Sequence, residues 1–73
     1  MRMEAIQLID KHVEQLRPGD VFFSVNAPNI LILLIARSAE ADAMGCIYLT
    51  FFMRDKLYCD LPWSASSTVM RLM

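Results

Sequence analysis

Two apolar segments constrain this chain more than anything else in it: Ile30-Leu31-Ile32-Leu33-Leu34-Ile35-Ala36 and, after a polar connection, Cys46-Ile47-Tyr48-Leu49-Thr50-Phe51-Phe52-Met53. Each is too short to cross a bilayer and is dominated by β-branched, leucine and aromatic residues. The connection between them ends in Gly45, so both read as strands pairing antiparallel at the centre of a sheet. Successive strand side chains point to opposite faces, and neither segment alternates apolar with polar residues. Both faces of the hairpin therefore demand a cover. On this reading Leu33 is buried, and a carboxylate there, Leu33→Asp, unfolds the chain.

The 73 residues make one domain, 1–73, near the lower size limit at which a single core supports a fold without a partner, metal or disulfide. With 56% hydrophobic residues, a mean hydropathy of +0.39 and only 21% charged residues, so small a body has difficulty hiding its apolar material as a monomer. A homo-oligomer, first of all a dimer, or another protein as partner is the expected cover. The formal net charge of −1 gives no basic footprint for attraction to a polyanion. Met1-Arg2-Met3-Glu4 lacks the order of a secretory signal and no segment has the length of a membrane span, so the expected location is the cytoplasm, with no membrane partner.

In chain order, Met3 to Leu16 is predicted as an amphipathic helix. Ile6, Ile9, Val13 and Leu16 recur at helical spacing, and Ala5, Leu8 and His12 widen the stripe. Arg17-Pro18-Gly19-Asp20 is the turn that ends it, because proline disfavours helical backbone before it and glycine accepts a positive φ. Val21–Val25 is the first strand, and the connection Ser38–Gly45 inside the central hairpin reads as exposed and mobile. A two-residue turn at Arg54-Asp55 leads into Lys56–Asp60, read with Leu57 and Cys59 inward and Lys56, Tyr58 and Asp60 outward. Leu61-Pro62-Trp63-Ser64 and the serines after it are expected to break the sheet, and Thr68–Leu72 is the last strand.

The expected fold class is thus α+β: an N-terminal helix followed by about five short antiparallel strands, forming a small SH3/Sm-like barrel or strongly bent sheet. In element order alone this resembles the Sm-like arrangement. An open sheet with the helix on one face and a second subunit on the other is the alternative.

Chemistry-bearing constellations are sparse. His12 is the only histidine and sits on the flank of an apolar stripe with no nucleophile set beside it by spacing. The eight acidic residues are scattered, and Gly19 and Gly45 belong to separate turns, so neither a carboxylate pair nor a phosphate-cradling loop is indicated. Cys46 and Cys59 are not cross-strand partners in the expected register and read as small hydrophobes rather than as a bridge or metal ligands. No catalytic, cofactor-binding or metal-binding residue is assigned.

The expected function is a non-enzymatic protein-interaction module, an adaptor, regulator or inhibitor of the size common among phage and mobile-element accessory proteins, that self-associates through apolar sheet surface. Its candidate partner-binding residues are Met44, Arg54, Lys56, Tyr58, Trp63 and Arg71. The competing expectation is an Sm- or OB-like binder of single-stranded nucleic acid, stacking bases on Tyr58, with Tyr48 or Trp63, and holding phosphates with Arg54, Lys56 and Arg71.

Overall fold

The structure, a computed structural model, describes residues 7–73. They form one antiparallel sheet of six strands: β1 Leu8–His12, β2 Val21–Ser24, β3 Ile32–Arg37, β4 Cys46–Met53, β5 Lys56–Ser64 and β6 Thr68–Leu72. The spatial order is β1-β6-β2-β3-β4-β5. The small β-rich sheet matches the sequence reading; the N-terminal helix does not. Among the described residues there is no α-helix, only a single 3-10 turn at Val13–Gln15, so the α+β class gives way to an all-antiparallel sheet. The first part of the expected helix, residues 3–6, lies outside the described residues.

The reason is a competition for Leu8–His12. As a strand this segment pairs with β6 over five residues, Leu8 with Leu72 through His12 with Thr68. As a helix it would leave the backbone of β6 without a partner on that side. Apolar residues at Val13 and Leu16 suit one tight turn as well as a long helix, and Val13 at the start of the 3-10 turn and Leu16 just after it are both fully buried. The pattern that follows Ile9 is thus a strand joined to a turn, whose combined spacing imitates a helical stripe.

Proline and glycine act as expected at the next turn. Gly19 has φ +96°, the Asp20 backbone N–H donates to the Arg17 carbonyl, and β2 starts at Val21. β2 is shared: Phe22 pairs with Ile32 of β3 on one side and with Arg71 of β6 on the other. β6 is therefore interior, not the free edge that a terminal strand suggests; the sheet's two end strands are β1 and β5.

The β4–β5 hairpin follows the predicted two-residue turn. Arg54 (φ 51°) and Asp55 (φ 62°) are both left-handed, as a type I′ connection requires, and set Met53 opposite Lys56, Phe52 opposite Leu57 and Phe51 opposite Tyr58. One residue later the register slips. Cys59 and Asp60 both face Thr50, Asp60 takes φ 51°, and its backbone N–H donates to the Thr50 hydroxyl at 3.1 Å. Beyond this bulge β5 continues through Pro62 to Ser64, where a break was expected. Proline is tolerated because β5 is an end strand and needs no donor on its outer side.

The sheet curls around its inner face. Phe22 of β2 meets Trp63 of β5 edge-on at 5.9 Å between ring centroids, and Trp63 meets Phe51 in the same manner at 5.6 Å. The 3-10 turn ties across the opening: the Val13 N–H donates to the Ser67 carbonyl and the Glu14 N–H to that of Ala65. Phe22, Leu34, Ile47, Leu49, Phe51 and Val69 fill the enclosed core with Val13 and Leu16.

Candidate functional face

The central strands obey the period of two despite their uniform apolarity. Ile32 and Leu34 of β3 and Ile47, Leu49 and Phe51 of β4 are buried, and the residues between them face out. Outside, Leu33 is 38% exposed, Phe52 43% and Leu57 50%. These three are direct cross-strand neighbours, Leu33 opposite Phe52 and Phe52 opposite Leu57, and Val21 of β2 continues the row opposite Leu33. Leu31 and Ile35 are exposed beside it, Ile35 at an irregularity where β3 shifts register against β4. The result is a contiguous apolar face on a sheet whose other face is the core. Leu33 was expected in that core, and here it points away from it.

The face has two dissimilar ends. At one, the β4–β5 turn brings Arg54 and Asp55 to the rim of a shallow groove of about 260 Å3 lined by Val21, Leu31, Leu33 and Phe52. At the other, the connection between β3 and β4 is knit together by Asp42. One carboxylate oxygen accepts the backbone N–H groups of Met44 and Cys46, both at 2.9 Å, and the second accepts the Tyr48 hydroxyl at 2.8 Å. These donors, first the Cys46 N–H and next the Tyr48 hydroxyl, hold the Asp42 carboxyl below its ordinary pKa, and the same hydrogen bond holds the Tyr48 phenol above its own. Asp42 thus carries its charge at the edge of the apolar face. The segment expected to be loose has an internal scaffold centred on one residue.

The sequence-predicted site residues do not share a surface. Arg54 and Lys56 stand exposed at the turn end, and Met44 stands at the opposite end, 85% exposed. Tyr58 is turned inward rather than outward: its ring stacks on Phe51 at 5.4 Å, and it packs with Trp63 against the core. That inversion comes from pairing: Tyr58 lies opposite Phe51, an inward residue, so Leu57 faces out instead. Arg71, on β6, lies 3.1 Å from an Asp20 carboxylate oxygen through its Nε, an ion pair without hydrogen-bond alignment. The residues missed were Leu33, Phe52 and Leu57. Their signal was present as an unbroken apolar run, read as core on both faces.

A second concavity, about 630 Å3, lies among Lys11, Glu14, Arg17, Asp20, Arg37 and Arg71. Much of its polar lining is committed to the fold. The Arg37 guanidinium donates to the backbone carbonyls of Glu14, Leu16, Ser38 and Ala39, and the second Asp20 carboxylate oxygen accepts the Arg17 backbone N–H. Arg37 is thereby a strap from β3 to the 3-10 turn. The free cysteines Cys46 and Cys59 stand on different strands away from each other's register, Cys46 opposite Ser64. No helix of the described residues is long and apolar enough to cross a membrane. No family model matches the chain, and no curated protein or solved structure matches it either.

Proposed function

We propose that this chain is a non-enzymatic protein-interaction module, of the adaptor, regulator or inhibitor kind, that self-associates through the outer face of β3, β4 and β5. The observation that carries the reading is the row Leu33–Phe52–Leu57, each residue more than a third exposed and in register with the next. A contiguous apolar patch on a small domain marks a contact surface, and aromatic residues are favoured in interface cores. The alternative of single-stranded nucleic-acid binding is weaker on this geometry, because Tyr58 and Trp63, two of its stacking platforms, pack against the core.

Light scattering on a sizing column across a dilution series tests it. The expected result is a dimer at tens of micromolar that the substitution Phe52→Glu converts to a folded monomer, with an unchanged circular dichroism spectrum. A wild-type chain that stays monomeric at every concentration would overturn the self-association reading.

A further inference from the structure

The inner face of the sheet ends in charge rather than in apolar packing. Lys11 of β1 pairs with the buried Val69, Arg71 of β6 with the buried Phe22, and Arg37 of β3 with the buried Leu49. Directly paired strand residues point to the same side, so all three cations project from the face that carries the core. Lys11 and Arg71 are diagonal neighbours across β1 and β6, since Arg71 itself pairs with Ile9. Arg17 and Asp20, from the turn before β2, close these side chains into the concavity of about 630 Å3, with Glu14 at its exposed rim.

Four of the chain's seven lysines and arginines thus meet against two carboxylates, a surplus of two positive charges in a chain whose net charge is −1. The one acid set among them is already engaged: one Asp20 oxygen accepts the Arg17 backbone N–H and the other faces the Arg71 Nε. That Nε is buried, yet its approach to Asp20 lacks hydrogen-bond alignment. Arg37 donates only to neutral backbone carbonyls, and among the described residues neither it nor Lys11 nor Arg17 has a carboxylate within ion-pair distance. Like charges gathered on one face of a sheet repel, and an anion seated between them turns that cost into attraction. The space is of small-molecule size, and no aromatic side chain of the described residues lines it to stack a base. We infer that this concavity binds a compact polyanion of the di- or triphosphate class, with Lys11, Arg17 and Arg71 donating to its oxygens and Arg37 adding its charge. The inference stands apart from the self-association reading, because none of these residues belongs to the outer row of Leu33, Phe52 and Leu57.

Isothermal titration of the full wild-type chain with tripolyphosphate, at constant ionic strength, tests the site. The expected result is one saturable site per chain, with amide shifts in the 15N spectrum centred on Lys11, Arg17 and Arg71. Lys11→Gln and Arg17→Gln should each weaken binding about ten-fold, the effect of losing one charge-assisted hydrogen bond. Arg17 is the safer variant for the fold, since its side chain is exposed and only its backbone takes part in the turn. Glu14 holds the 3-10 turn through its backbone alone, so Glu14→Gln should leave the fold intact and tighten binding about three-fold by removing the repelling carboxylate. No saturable heat at millimolar tripolyphosphate would overturn the inference. So would a dissociation constant that folded Arg17→Gln leaves unaltered, or sulfate binding as tightly as tripolyphosphate, the behaviour of diffuse surface charge. A single-stranded oligonucleotide that displaces tripolyphosphate at equal phosphate concentration would overturn the small-ligand assignment in favour of a nucleic-acid backbone.

Discussion

At the scale of single residues, the contrast between Leu33 and Leu34 is the sharpest consequence of the period-two backbone. The two neighbours are identical in chemistry, yet Leu34 is fully buried and Leu33 is 38% exposed. Leu34→Asp should abolish folding, since an unpaired buried carboxylate costs several kcal/mol, comparable to the whole stability of a domain this small. Leu33→Asp should leave the circular dichroism spectrum and cooperative melting in place while removing the proposed dimer. A folded Leu34→Asp protein would show that the two faces have been assigned the wrong way round. The Asp42–Tyr48 hydrogen bond gives a second residue-scale prediction. Asp42 titrates below its ordinary 3.8, so its contribution is present above that pH and is lost as pH falls through the lowered value. Tyr48 titrates above its ordinary 10.0, so its contribution is present below that pH and is lost as pH rises through the raised value. The melting-temperature difference between wild type and Tyr48→Phe should therefore be flat over roughly pH 5–9 and shrink toward zero at both extremes. A difference that persists below the Asp42 titration would mean the hydroxyl acts through some other partner.

At the scale of elements, how much was readable depended on whether local chemistry or distant pairing decides the outcome. The Arg17–Asp20 turn, the Arg54-Asp55 turn and the strands between them follow from proline, glycine and apolar runs acting locally. The bulge at Cys59-Asp60 does not, because the extra residue is accommodated by a hydroxyl on the neighbouring strand. Neither does β1, which is a strand only because β6 lies beside it. Inward and outward assignment on β5 failed for the same reason, since Tyr58 takes its side from Phe51. The candidate face was half readable: the apolar runs demanded a second cover, but which leucines would form it depended on register. The β4–β5 turn yields a prediction of its own. Asp55 sits at φ 62°, where a β-branched side chain is strained by about 1–2 kcal/mol and glycine is not. Asp55→Val should lower the denaturation midpoint accordingly, and Asp55→Gly should match or exceed wild type. Equal stability of the two variants at the same protein concentration would contradict a left-handed turn.

At the scale of the whole molecule, size and composition meet the outer face. A sheet of six short strands with one small enclosed core has little stability in reserve, and it carries a second apolar surface that water covers poorly. The proposed self-association would bury that surface only in the folded state and so make dimer formation and folding a single linked equilibrium. Each tenfold rise in concentration above the dimer dissociation constant then adds about 0.7 kcal/mol per chain, half of the 1.4 kcal/mol for the dimer. In a domain of this size that shifts the melting temperature by about 3–5 °C. Calorimetry of the wild type at 10, 100 and 1,000 times one starting concentration should show that stepwise rise, and Phe52→Glu should melt at one temperature throughout. The comparison separates two roles for the exposed leucines and phenylalanine. If both proteins melt independently of concentration, the outer face contributes nothing to stability through a second copy, and the chain holds its fold on the inner core alone. If only the wild type responds, the apolar run that first suggested a core covered on both faces has its second cover in an identical chain.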